Sequence, residues 1–169
     1  TSYSELEINY QDATSPLYYI RYKLEKPLKN QEHIVVATTR PEPIFADTHL
    51  AVHPENEKTK HLIGKKVFNP LTDELMTIIG DDFVDPSFGT GIVKLTPAHD
   101  HNDFEVAKRH DLPIILAVDT YGRITENGGK YAGLKVRRAR EEVIKDLEAK
   151  DLIEKIDQKY QNRVATDYK

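Results

Sequence analysis

The chain has 169 residues, enough for one domain with a real core, and its 31% charged residues describe a well-solvated surface without the composition of a disordered chain. A formal charge of −4, from 24 Lys and Arg against 28 Asp and Glu, excludes a global basic signal for nucleic acid. Residues 127–140 nevertheless carry Lys130, Lys135, Arg137, Arg138 and Arg140 without an acid. Zero cysteines exclude disulfides and thiolate metal sites, and no apolar run approaches the roughly 18 residues of a membrane span. With no signal-peptide pattern, the expected setting is soluble and cytoplasmic, and the start at Thr1 suggests a piece of a longer chain.

Residues 1–15 are polar and read as a lead-in segment. From 17 to 24 the chain alternates, with Tyr18, Ile20, Tyr22 and Leu24 on one side and Tyr19, Arg21 and Lys23 on the other, as in a half-buried strand. Pro27 and Asn30 mark a turn over 26–31, and 34–38 resumes as a strand that completes a hairpin. Its exit, Thr38-Thr39-Arg40-Pro41-Glu42-Pro43, is expected to be extended and irregular, because proline restricts the residue before it. A short strand is expected at 50–52, a helix between His53 and Gly64, and strands at 66–68 and 74–79 around an Asn69-Pro70 turn. Later, 114–118 reads as a buried strand, 120–123 as its hairpin turn, and 127–129 as a loop. A helix emerges near Val136 with Val143, Ile144 and Leu147 on its apolar stripe, leaving Arg137, Arg138 and Lys145 wet. Residues 153–156 read as a last strand, and 158–169 as a polar tail. Many short strands and about three helices argue for an α+β fold, mainly antiparallel strands forming a barrel-like core with peripheral helices.

The most informative stretch is 89–110. Gly89 and Gly91 permit a tight turn, and 92–96 alternates so that Ile92, Lys94 and Thr96 share one face of a strand. Pro97 ends it, and Asp100 and Asp103 then stand at the spacing of an N-cap residue and its N3 partner, opening a helix that runs to His110. Two carboxylates in a first helical turn thus face the polar side of a strand end, a pocket wall. The same residues also read blandly, as a cap, a dipole partner and a solvated lysine. A third reading is a metal hydrolase using His99, Asp100, His101, Asp103 and His110, whose oxygen and imidazole donors suit several divalent metals.

Taken together, Thr38-Thr-Arg-Pro-Glu42, Asp47-Thr48, Leu50-Ala-Val-His-Pro54, Val84-Asp-Pro, Gly89-Thr-Gly91, Val93-Lys94, Thr96-Pro-Ala-His-Asp100, Asn102-Asp103 and Lys130-Tyr-Ala-Gly133 resemble the editing domain of valyl-tRNA synthetase, a class I synthetase family. The resemblance places that domain at 16–157, with 158–169 returning toward a synthetase body that this chain lacks. It implies a deacylase that hydrolyses the ester of threonine mischarged onto valine tRNA, with threonyl-adenylate as a second substrate, using a positioned water. It assigns Lys94, Asp100 and Asp103 to the reaction. Thr38, Thr39, Arg40, Asp47, Thr96, His99 and Asp103 are assigned to the substrate, with Asp103 on its ammonium. Arg40, Lys130, Arg137 and Arg138 are assigned to the tRNA acceptor end. No metal or cofactor is implied, ATP being used only in the absent catalytic domain, and the partners implied are valine tRNA, threonine and the rest of the synthetase chain. Where the family usually has threonine and glycine this chain has Pro43 and Ala46. A competing reading without catalysis is an acceptor-end binding module.

Overall fold

The structure is a computed structural model that describes residues 15–158. Nearly all of the lead-in and tail expected from the sequence therefore lies outside the described residues. Strand β1, Leu17–Leu28, pairs antiparallel with β2, Gln31–Thr38, around a turn in which Asn30 takes a left-handed φ of 64°. Tyr18, Ile20, Tyr22 and Leu24 all turn inward, as their alternation dictates, and each is at most 9% exposed. β1 then changes partners along its length within one seven-stranded sheet. Its first half also pairs with β7, Ile153–Asp157, while Leu24 passes to Val67 of β4, Lys66–Phe68.

From β4 the sheet continues through β5, Leu75–Gly80, and β3, His49–Val52, to β6, Ile92–Lys94, giving the order β2-β1-β4-β5-β3-β6. All pairs are antiparallel except β3 with β5, where His49 stands opposite Thr77 in a parallel ladder. Thr90, just before β6, donates its hydroxyl to the Val35 carbonyl of β2 at 2.5 Å, drawing the two edges toward each other. A nearly closed barrel with few helices results, the α+β architecture the sequence pattern implies. Ile20, Tyr22, Val36, Leu50, Val67 and Ile78 fill its interior with no exposed surface. Each fully buried aliphatic side chain contributes about 1.5–3 kcal/mol.

Among the described residues two α-helices flank the barrel. α1, His101–His110, is capped by Asp100, whose carboxylate accepts the Asp103 amide at 3.0 Å, and ends at Asp111 in a left-handed conformation. Its Val106 joins Ala51, Val84 and Leu95 in a second, smaller core. α2, Val136–Ala149, buries Val136, Ala139, Val143 and Leu147, while Ile144 is only partly covered. Among the described residues no helix is long and apolar enough to cross a membrane.

Four local expectations fail in whole or in part for identifiable reasons. Residues 114–118 form no strand: Ile114 and Leu116 are 45% and 49% exposed, and only Val118 bridges to Ile124. Several of their backbone groups are satisfied by side chains instead, with the Ala117 and Val118 amides on His99 and the Leu116 carbonyl on Thr125 and Asn127. The segment 53–64 is turns with a single 3-10 turn at Lys60–Leu62, since Asn56 accepts the Lys58 amide in a local loop that competes with a helix. The exit after Thr38 is irregular, as expected, but does not stay extended to its end: Pro41 and Pro43 lead into a buried 3-10 turn, Ile44–Ala46, closed by the Ile44 amide on the Pro41 carbonyl. The strand expected over 92–96 ends at Lys94.

Candidate active site

The ends of β2, β3 and β6 and the start of α1 bring most of the sequence-derived residues together. Register sets the centre of the site: Leu50 opposes Lys94, so Asp47, just before β3, comes to lie beside the Lys94 side chain. Lys94 Nζ sits 2.8 Å from Asp47 Oδ2 and donates to Thr96 Oγ1 at 2.7 Å, while Thr96 Oγ1 donates to Asp47 Oδ1 at 3.1 Å. The lysine side chain is 7% exposed and the aspartate not at all. Burial pushes the Asp47 carboxyl up to about 6, against the opposing pull of Lys94 and Thr96. The strand face expected to carry an ammonium and a hydroxyl is therefore a buried ion pair rather than a solvated edge.

Asp103 is the second polar centre. Its Oδ2 accepts the Thr96 amide at 2.8 Å. Burial pushes its carboxyl up to about 7, helped by repulsion from Asp100, with the Thr96 amide and Lys94 pulling the other way. Asp100 itself is exposed and occupied as the helix cap. A carboxylate so short of partners attracts a cation.

Arg40 and His99 form the third side. The Arg40 amide donates to Thr38 Oγ1 at 3.0 Å, folding the Thr38-Thr39-Arg40 corner back on itself. His99 Nε2 accepts the Ala117 and Val118 amides at 3.0 and 3.1 Å, which fixes a neutral ring with its proton on Nδ1. Burial, then Arg40 and Lys94, push that histidine down to about 4. A cleft of about 400 Å³ opens beside it, lined by Pro97, Asp100, Phe104, Ile114 and Leu116 among others.

Histidines and carboxylates in 99–110 do not converge. His99 faces the 117–118 backbone, Asp100 caps α1, Asp103 holds the Thr96 amide, and His110 lies 3.0 Å from Asp81. Among the described residues no three His, Asp or Glu side chains are grouped to hold a metal. Of the expected acceptor-end residues, Lys130 pairs with Asp146 at 2.8 Å, Arg138 approaches Glu141 and Glu142 at 3.7 and 3.5 Å, and Arg137 is exposed.

Sequence reasoning missed the partner of Glu42. This residue has no exposed side-chain surface and receives a two-pronged contact from Arg140, Nε to Oε1 at 2.9 Å and Nη2 to Oε2 at 3.0 Å. A signal was present, since Arg140 stands four residues after Val136 and three before Val143, on the buried face of α2 rather than its wet side.

A family model described as "Leucyl-tRNA synthetase, editing domain" matches residues 55–160. The chain is 48% identical over 155 residues to the valine–tRNA ligase of Bdellovibrio bacteriovorus, covering 92% of this chain and 17% of that protein. It is also 48% identical over 158 residues to the valine–tRNA ligase of Thermotoga maritima, covering 93% and 18%. The chain thus spans less than a fifth of the length of these relatives. Among solved structures, GlLeuRS-CP1 matches with a TM-score of 0.64 at 13% identity, over 84% of this chain and 98% of that one. A ternary complex of Agrobacterium radiobacter K84 LeuRS with tRNA and LeuAMS matches with a TM-score of 0.61 at 21% identity, over 89% and 21%. At such identities these likenesses speak to the fold.

Proposed function

Because this chain belongs to the family of the leucyl-tRNA synthetase editing domain, we propose that it serves a valine-specific synthetase and hydrolyses the ester of threonine mischarged onto valine tRNA. A hydrophobic valine pocket cannot strongly reject threonine, and the established first-sieve discrimination of valyl-tRNA synthetases is only about 100-fold. A second site must therefore recognise the hydroxyl that distinguishes the two amino acids.

The observation that carries this reading is the buried Lys94, Asp47 and Thr96 constellation beside Asp103. Lys94 donates to Thr96 and pairs electrostatically with Asp47 Oδ2 at 2.8 Å, an oxygen left without a hydrogen-bond partner; Thr96 Oγ1 spends its proton on Asp47 Oδ1 and one lone pair on Lys94. Lys94 donors and the acceptors Thr96 Oγ1 and Asp47 Oδ2 are left side by side, the complement of a hydroxyl that both accepts and donates. A valine methyl in that place desolvates both groups without replacing their bonds, which is costly. In this reading Asp103 takes the α-ammonium, and Arg40, Thr38 and Thr39 hold the terminal adenosine and the carbonyl. Water attacks the ester carbonyl and the ribose oxygen leaves, with no covalent enzyme intermediate, metal or cofactor. Amino-acid activation with ATP would belong to the remainder of a full-length synthetase. The same 48% identical relatives, valine–tRNA ligases by name, support valine over leucine as the parent specificity.

The test is deacylation of threonyl and valyl esters of valine tRNA by this chain, with and without chelator. Selective loss of the threonyl ester, indifferent to chelator, is expected, and Lys94→Ala should lower the threonyl-to-valyl rate ratio by about tenfold, near the loss of one buried hydrogen bond to a charged group. Hydrolysis abolished by chelator would favour a metal hydrolase, and binding without hydrolysis a non-catalytic acceptor-end module.

A further inference from the structure

Glu42 lies in an apolar setting between Pro41 and the buried turn Ile44–Ala46, where an ionised carboxylate is costly unless cations hold it. Two arginines do so from opposite parts of the chain. Arg140 of α2 occupies both carboxylate oxygens with a planar fork. Arg40 approaches from the substrate side, its Nε 3.8 Å from Oε2, an attraction without a hydrogen bond. The Arg40 side chain keeps 23% of its surface exposed, and its charge reaches His99, whose protonation it disfavours. Glu42 is thus shared between two half-buried guanidiniums, one from α2 and one from the corner that faces the candidate site.

Resting on the editing reading, we propose that Arg140 is a positioning residue for that reaction: it fixes the Glu42 carboxylate, and Glu42 in turn fixes the direction in which Arg40 presents its guanidinium to the substrate. The geometry requires an arginine at position 140. A lysine there keeps the charge that makes Glu42 tolerable but has no planar fork, so it holds the carboxylate at one point and lets it swing. A fixed Glu42 presents its charge to Arg40 at one point, so that the longer contact attracts the guanidinium toward a single position. This assignment removes Arg140 from the basic surface suggested by the composition of 127–140 and places it behind the site.

The experiment is a double-mutant cycle in this chain on hydrolysis of the threonyl ester of valine tRNA, with kcat and KM separated. Arg140→Lys should lower kcat/KM by about tenfold, mainly through KM, and change it by less than about twofold in an Arg40→Ala background, a coupling well inside the range seen for residues in one ion-pair network. A merely structural Arg140 would give the same factor in both backgrounds, and that result, or no effect in either, overturns the proposal. Melting midpoints check that each variant is folded. If Arg140→Lys does not fold, Glu42→Gln, which removes the charge without changing volume, replaces it in the same cycle, with the same two outcomes. A wild-type chain that hydrolyses neither ester would instead defeat the editing reading on which the proposal rests.

Discussion

The two ends of α1 meet one buried and one half-buried aspartate, Asp81 and Asp103, that the fold treats in opposite ways. At its C-terminal end Asp81, 7% exposed, accepts both Arg109 Nε and Nη2, lies 3.0 Å from His110 Nε2 and takes the Phe83 amide at 3.0 Å. Burial pushes its carboxyl up, but those donors outweigh burial and hold it below its ordinary value. At the N-terminal end Asp103 has the Thr96 amide, the like charge of Asp100 nearby, and a carboxyl pushed up to about 7 by burial. One aspartate is saturated with donors and belongs to the scaffold; the other is short of them and suited to a cation that arrives with a ligand.

Asp103→Asn should separate these roles most sharply. Without a charge to meet the substrate ammonium, hydrolysis of the threonyl ester should fall by about 100-fold or more, the usual cost of truncating one side of a buried charge pair. The fold should gain. An acid whose pKa rises from 3.8 to about 7 on folding is protonated in the native state and ionised in the unfolded state across that window, so it lowers stability as pH rises through it, fully so above 7. The asparagine variant should accordingly be about 1–3 kcal/mol more stable than wild type at pH 8, with the gain vanishing toward pH 4. Thermal melting across pH 4–8 measures this, and a variant of unchanged activity or lowered stability at pH 8 contradicts the contrast.

Asp81→Asn should do the reverse on a smaller scale. Its wild-type carboxyl lies below the ordinary value when folded, so its stabilisation is present above the unfolded pKa and is lost as pH falls through the folded one. The expected cost is about 1–3 kcal/mol at pH 7, discounted because Arg109 is half exposed, and it should shrink as the medium is acidified. Hydrolysis per folded molecule should stay within about twofold, since local losses distant from shared partners usually do not couple. A fall in rate comparable with Asp103→Asn would mean that the two ends of α1 are not independent.

Local sequence pattern carried a great deal of this organisation. Alternation located β1 and its inner face, and the spacing of Asp100 and Asp103 located the start of α1, because both depend only on neighbours along the chain. What the pattern left out is non-local. Lys94 meets Asp47 only because β3 and β6 pair with Leu50 opposite Lys94, and nothing near either residue fixes that register. Glu42 finds Arg140 across 98 positions. The apolar run at 114–118 misleads because periodicity cannot tell a laddered strand from an extended segment whose amides are held by a histidine. His99, assigned to the substrate by resemblance, spends its Nε2 on those two amides, which no motif in the sequence announces.

The surface charges of α2 and the loop before it extend the same contrast to where burial no longer amplifies it. Lys130 has Asp146 and Arg138 has Glu141 and Glu142, whereas Arg137 has no acid within ion-pair distance among the described residues. If uncommitted charge marks a place for a ligand here too, Arg137 should contribute more to valine tRNA binding than its neighbours. Arg137→Gln should raise Kd by about threefold and flatten the slope of log Kd against log salt by about 0.7–0.9, the loss of one phosphate contact. Lys130→Gln and Arg138→Gln should each change less, and all three should leave stability within about 0.5 kcal/mol. Equal effects from all three would mean that the surface pairs open when RNA arrives. No effect from any would take this face out of the tRNA contact and confine the significance of under-satisfied charge to the buried site.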